Sequence, residues 1–255
     1  MNPVDMDRIA TWPPDIIAFL NAHSKELRIE READREYALA PSDFRIMNTA
    51  PPMPRWNEAK VLIATAMADR EVVAFHATRL VDINDVYRDG LLRLNLVLQV
   101  ARLKKQLEVS GAYDELSEVD GALAQAIEAD SVFIKREGAV WASPQRMSLH
   151  DGGCKVFYDY YGGEAIKWMA RYAKGNLELR LKQIGKPAVV IIRYPAYGWC
   201  RFTNSRLPKS MIELYLQYEG SWEAMDYSWD IMIKRDVPAK HVIAVVPPGD
   251  LAVAV

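Results

Sequence analysis

The stretch EVVAFHATRLVDINDVYRDGLL, residues 71–92, brings a histidine, a threonine and an arginine to the end of a β-branched and aromatic run. Histidine can donate or accept at either ring nitrogen near neutral pH, and arginine offers a fixed cationic fork suited to phosphate. Successive side chains of a strand point to opposite faces, so His76 and Thr78 share one face while Val73, Phe75 and Ala77 share the other. Asp82 suits the N-cap of a following helix, and Gly90 suits the αL residue that would end it. The start of such a helix favours an anion such as a pyrophosphate. A histidine at a strand tip is more often a half-buried side chain with a satisfied hydrogen bond. Its neighbours are what turn the reading toward a ligand.

Three further stretches carry candidate chemistry. REGAVWASPQRM (136–147) reads as a short strand whose Trp141 is either core or an aromatic wall for a flat ring. In HDGGCKVFYDYYGGEAIKWMARY (150–172), Gly162 and Gly163 precede Glu164 at a helix start. Glu164 fits a first-turn acid that complements the helix dipole, but paired glycines also let a backbone approach something closely. In YSWDIMIKRDVPAKHVIAVVPP (227–248), Asp230 stands near the start of a strand, where an acid is ordinarily just exposed.

The elements that must position these groups are legible in outline. Residues 14–29 have apolar side chains at helical spacing after a Pro-Pro start, and the charged and proline-punctuated segment that follows reads as an irregular arm. Residues 56–69 are helical in pattern and 71–80 have the composition of a buried strand. From about 91 to 129 the spacing predicts a helical hairpin broken at Ser110-Gly111. Beyond it, short apolar runs (GAVWAS, CKVFYDYY, PAVVIIRYPA, SWDIMIKR, HVIAVVP) alternate with turns around one helix, EAIKWMARYA. The expectation is an α+β fold with an antiparallel or mixed sheet, an N-terminal helical arm over 1–70, and a domain over 71–255 carrying a helical insertion at about 91–130.

Composition narrows the partners. The 255 residues suit one large domain or one with an added lobe, and about half of them are hydrophobic. Lys and Arg number 32 against 34 Asp and Glu, so no bulk charge pulls the chain toward nucleic acid or anionic membrane. The RLKK run holding Arg102, Lys104 and Lys105 suits nucleic acid or, more simply, a solvated helix face. Cys154 and Cys200 have no CxxC or CxxH neighbour, so neither a zinc site nor a disulfide framework is expected, and the reducing cytoplasm is the expected location. The N-terminus lacks a signal-peptide pattern, and no apolar run is long enough to cross a membrane.

FHATRLVDINDVYRDGLL resembles the opening motif of the ADP-ribosyltransferase superfamily, which includes diphtheria-toxin-like and poly(ADP-ribose) polymerase-like transferases and the tRNA 2′-phosphotransferases. His76-Ala77-Thr78 and Gly90-Leu91 match it. REGAVWAS is similar to the second strand and WDIMIKRDVPAKHVIAVVP to the closing pair. Val140 or Trp141 stands where the family has a tyrosine, and Asp230 where it has a glutamate. The resemblance implies a split β-sheet core that grips NAD as substrate, without a metal. It implies that His76, assisted by Thr78, binds a ribose, and that Arg79 or the helix after it meets the pyrophosphate. Trp141 or one of Tyr158, Tyr160 and Tyr161 would stack on nicotinamide. Asp230 or Glu164 would be the catalytic acid. The acceptor would be a protein or nucleic acid, chosen by the hairpin or the arm. The family's habits suggest a toxin or phage-related effector, with an immunity or antitoxin partner. Two other readings stand beside it: an RNA 2′-phosphotransferase-like enzyme, marked by a cleft of Arg79, Arg136 and Arg146, and a non-catalytic binding protein with a filled cleft.

Overall fold

The structure is a computed structural model that describes residues 2–129, 137–150, 152–199, 203–220 and 230–251; Arg136 and Cys200 lie outside them. The chain is α+β and divides into two compact units. Met1–Val72, Pro195–Gly198 and Phe202–Asp226 make the first, and Val73–Tyr194, Trp199–Arg201 and Tyr227–Val255 the second.

The first unit packs helices α1 (Pro14–Leu39), α3 (Pro54–Ala66) and α10 (Thr203–Tyr218), with the short α2 (Ser42–Met47) between the first two in sequence. Ile16, Leu20 and Leu27 of α1, Trp56, Ala59 and Ile63 of α3, and Leu207, Met211 and Ile212 of α10 are buried. The first helix runs ten residues past the expected end at Ile29. Its continuation, Glu30–Leu39, is charged but made largely of strong helix formers, so charge there marks a helix face rather than a loop. One of those charges is buried: Arg31 pairs with Glu213 at 2.9 Å and Asp34 at 3.1 Å, with its guanidinium 5.9 Å from the Trp56 ring centre.

In the second unit, β1 (Glu71–Leu80), β3 (Lys186–Pro195) and β5 (Val242–Val246) form a sheet in the order β1-β3-β5, with β3 and β5 antiparallel. Central position explains the continuous apolar run of β3, whose Ala188–Ile192 are all buried. A second, two-stranded sheet pairs β2 (Val140–Ala142) antiparallel with β4 (Ile231–Ile233), Trp141 opposite Met232. Phe75 of β1 and Ser143, just after β2, exchange backbone hydrogen bonds of 2.7 and 2.9 Å. Val73, Phe75 and Ala77 pack into one core with Val189, Ile191 and Leu149.

The expected hairpin is α5 (Leu96–Val109) and α6 (Tyr113–Ala129). Leu96, Val100, Leu103 and Leu107 give α5 a buried stripe at helical spacing, packed with Tyr160, Tyr161 and Ile166. CKVFYDYY is helical, not extended: α7 spans Gly152–Asp159, followed by α8 (Gly163–Ala170) and α9 (Leu177–Gln183). Aromatic composition alone suggested a strand there. The side chains instead divide between two cores, Phe157 and Tyr158 against the sheet and Tyr160 and Tyr161 against the hairpin, as an α-helix and its following turn allow. Among the described residues no helix is long and apolar enough to cross a membrane.

Helix α4 (Ile83–Asp89) is capped as expected by Asp82, whose carboxylate accepts from Asn84 N at 2.9 Å. Gly90 ends it at φ 77° but ψ −154°, outside the αL region, because Leu91 turns at once to pair with Val237. A Cβ at Gly90 would lie 2.0 Å from the Val237 carbonyl oxygen. Gly90→Ala is therefore expected to lose about 2 kcal/mol or more in urea denaturation. Gly111, at φ 70° with open space around it, is the comparison: Gly111→Ala loses about 1 kcal/mol. Equal losses at the two positions would contradict the close approach.

Candidate functional site

Three elements of the second unit converge on one cavity of about 130 Å³. β1 contributes His76 and Thr78, β2 contributes Trp141, and the first turn of α8 contributes Glu164. Strand alternation delivers the first two to the same side, while Val73, Phe75 and Ala77 go to the core on the other. Phe157 adds a second aromatic wall, and Leu92 and Leu98, both partly exposed, stand at the rim. Gly162, at φ 77°, holds the backbone close where a Cβ would meet Ile166 at 2.4 Å and Gln99 at 3.1 Å. Gly162 thus lets α8 begin close to the hairpin, and Gly163, where a Cβ would meet the Phe157 ring at 2.6 Å, lets it begin close to α7, in addition to starting a helix.

His76 Nδ1 is 2.6 Å from the Trp141 carbonyl oxygen. A carbonyl only accepts, so Nδ1 carries the proton and the neutral ring keeps Nε2 as an acceptor. Burial pushes the imidazole below its ordinary pKa, and the bond to the carbonyl opposes that only in part. The site therefore presents a neutral acceptor nitrogen, an indole, a phenyl ring and a carboxylate.

A second cavity of about 470 Å³ adjoins the first. Thr78, Leu92, Gln99 and Arg102 line both. Their combined size reaches the range of about 300–1,000 Å³ usual for small-molecule sites.

The remaining expected residues have other positions. Arg79 lines the second cavity, but its guanidinium donates to four backbone carbonyls: Nε to Ile184 at 2.9 Å, Nη1 to Tyr158 at 2.7 Å, and Nη2 to Lys182 at 2.7 Å and Gly185 at 2.8 Å. Four of its five N–H groups are occupied, so it is a clasp holding the ends of α7 and α9 rather than an open anion fork. Tyr158 packs toward the sheet core, and burial pushes its phenol well up. Tyr161 is buried against the hairpin and lines only the second cavity. Tyr160 is core, with the Lys167 ammonium 4.8 Å from its ring centre. Asp230 is exposed just ahead of β4 and does not line the cavity holding His76. Arg146 sits 4.6 Å over the ring of Phe75, on the opposite face of β1 from His76. Among the described residues, no group of three or more His, Cys, Asp or Glu side chains could hold a metal ion.

Sequence reasoning missed the hairpin's share of the lining, Asn95, Leu98, Gln99 and Arg102. The available signal was the stripe left over once positions 96, 100, 103 and 107 are assigned to the core.

Arg79→Lys is expected to cost on the order of 3 kcal/mol of stability, read from the denaturant midpoint, because an ammonium cannot span four carbonyls. A loss under about 1 kcal/mol would refute the clasp. His76 has a folded pKa below its unfolded value of about 6.5, so the unfolded chain binds the extra proton first. Stability is full above pH 6.5 and falls as the pH drops from there through the lowered folded pKa. His76→Gln flattens that limb of a midpoint-against-pH curve.

No family model matches the chain, and no curated protein or solved structure is significantly similar to it, so the chemistry of the cavity carries the functional argument.

Proposed function

We propose that this chain transfers ADP-ribose from NAD to a macromolecular acceptor, protein or nucleic acid, with release of nicotinamide, on an ADP-ribosyltransferase-like split sheet. The observation that carries the reading is the convergence of His76, Thr78, Trp141 and Glu164, spread over 89 positions of sequence, on one cavity. Two small sheets meeting at Phe75 and Ser143 support it further.

His76 Nε2 accepts a hydrogen bond from a ribose hydroxyl and orients the sugar, with Thr78 beside it. Trp141 provides a flat face for the nicotinamide ring. The bond between nicotinamide nitrogen and C1′ breaks, and the electron pair leaves with nicotinamide, which becomes neutral. The sugar is left as an oxocarbenium-like cation, and a carboxylate fixed nearby stabilises that charge without reorganising. Glu164 takes this role in preference to Asp230, because Glu164 lines the cavity. The acceptor's nucleophile then bonds to C1′, and its proton passes to the carboxylate or to water.

The 2′-phosphotransferase reading called for a basic cluster of Arg79, Arg136 and Arg146. Arg79 is committed to carbonyls, Arg146 lies over Phe75, and Arg136 is outside the described residues, so no observation favours it.

Nicotinamide release from NAD by the purified full chain, with cellular RNA and protein supplied as acceptors, tests the proposal. His76→Ala and Glu164→Gln are expected to lower the rate on the order of a hundred-fold or more, and Asp230→Asn by only a few-fold. No release, together with no rise in melting temperature on adding NAD, overturns the proposal; a hundred-fold loss in Asp230→Asn alone overturns the assignment of the acid.

A further inference from the structure

Helix α5 has two working faces. Leu96, Val100, Leu103 and Leu107 are buried in the hairpin core. The adjoining stripe, Asn95, Leu98, Gln99, Arg102, Lys105 and Gln106, forms a wall of the two cavities. From Asn95 to Gln106 that wall is about 16 Å long at the rise of an α-helix. Only two of its side chains are cationic, and they differ in position. Lys105 lines the larger cavity alone, whereas Arg102 lines both.

The neighbouring charges are mostly committed. Lys104 binds the Asp120 carboxylate at 2.6 Å, Arg88 pairs with Asp85 at 2.7 Å and Asp89 at 2.8 Å, and Arg79 is held by carbonyls. Arg102 forms no hydrogen bond or ion pair among the described residues, although Asp89 of the larger cavity lies near enough to feel its charge, and its side chain is exposed at the junction. A guanidinium with its donors open, between an aromatic-walled cavity and a larger polar one, is placed to bind the anionic link of a ligand with a group in each.

We infer that Arg102, supplied by the inserted hairpin, is the diphosphate-binding residue of this cleft and takes the role that Arg79 cannot. The inference rests on the dinucleotide reading above and extends it. The smaller cavity holds the nicotinamide riboside end, Arg102 holds the diphosphate at the junction, and the larger cavity holds the second nucleoside. The hairpin is then part of the substrate site.

Calorimetric binding of NAD, ADP-ribose, inorganic pyrophosphate and nicotinamide riboside to the full chain tests this in wild type, Arg102→Ala, Arg102→Lys and Lys104→Ala. Arg102→Ala is expected to weaken NAD, ADP-ribose and pyrophosphate by ten-fold or more and to leave nicotinamide riboside unchanged. Arg102→Lys recovers part of the loss, since it keeps the charge and loses the fork, and Lys104→Ala matches wild type. Unliganded melting temperatures within a degree or two of wild type show that the variants are folded. NAD binding that is equal in wild type and Arg102→Ala overturns the inference and leaves the transferase proposal standing. Arg102-dependent binding of ADP-ribose and pyrophosphate without nicotinamide release supports the anion site and overturns the transferase proposal. Wild type that binds none of the four ligands overturns both.

Discussion

Three hydrogen bonds determine where the second unit's two small sheets meet. Phe75 and Ser143 exchange two backbone bonds, and one residue further along β1 the His76 ring donates to the carbonyl of Trp141. The strand that carries the histidine is thereby tied to the strand that carries the indole. Because β1 sends Phe75 to the core and His76 to the opposite side, one register satisfies both the packing and the site. A shift of one residue would put the imidazole in the core and the phenyl ring in the cavity.

The same bond sets the chemistry of the histidine. A proton held on Nδ1 leaves an acceptor at Nε2, and burial keeps the ring neutral. A neutral acceptor suits a ribose hydroxyl and would serve poorly as an anion contact. Positive charge for an anion must come from elsewhere. Arg79 is three residues further along the same strand, yet its donors close the ends of two helices. Burial and hydrogen bonding have turned the most obvious cation of the motif into scaffold, leaving the hairpin to supply an open one.

The glycines show how backbone constraints support this arrangement. Gly90 lets the chain leave α4 and join Val237 without a turn of αL geometry, and Gly162 lets α8 begin close to Gln99. Each does its work by the lack of a Cβ at a close approach. Gly90 reads in the sequence as a simple helix terminus, whereas the pairing of Gly162 with Gly163 already points to a close approach.

Local patterns were enough to identify β1, its face alternation, the Asp82 cap, the hairpin with its break at Ser110-Gly111, and the candidate His76, Thr78, Trp141 and Glu164. These depend on residue type and on periods of 2 and 3.6, which act over a few neighbours. What local patterns misjudged was charge and aromaticity, the helix through Glu30–Leu39 and the helix in CKVFYDYY. In CKVFYDYY the outcome depends on which distant surfaces bury the side chains, whereas in Glu30–Leu39 the helix propensity of the residues outweighs their charge. Tertiary structure alone decided that Arg79 meets carbonyls more than a hundred residues away, that Glu164 rather than Asp230 lines the cavity, and that Arg102 stands between two cavities. Those outcomes follow from the packing of separate elements against one another, which fixes the direction of a long polar side chain in a way that its own neighbours in sequence do not.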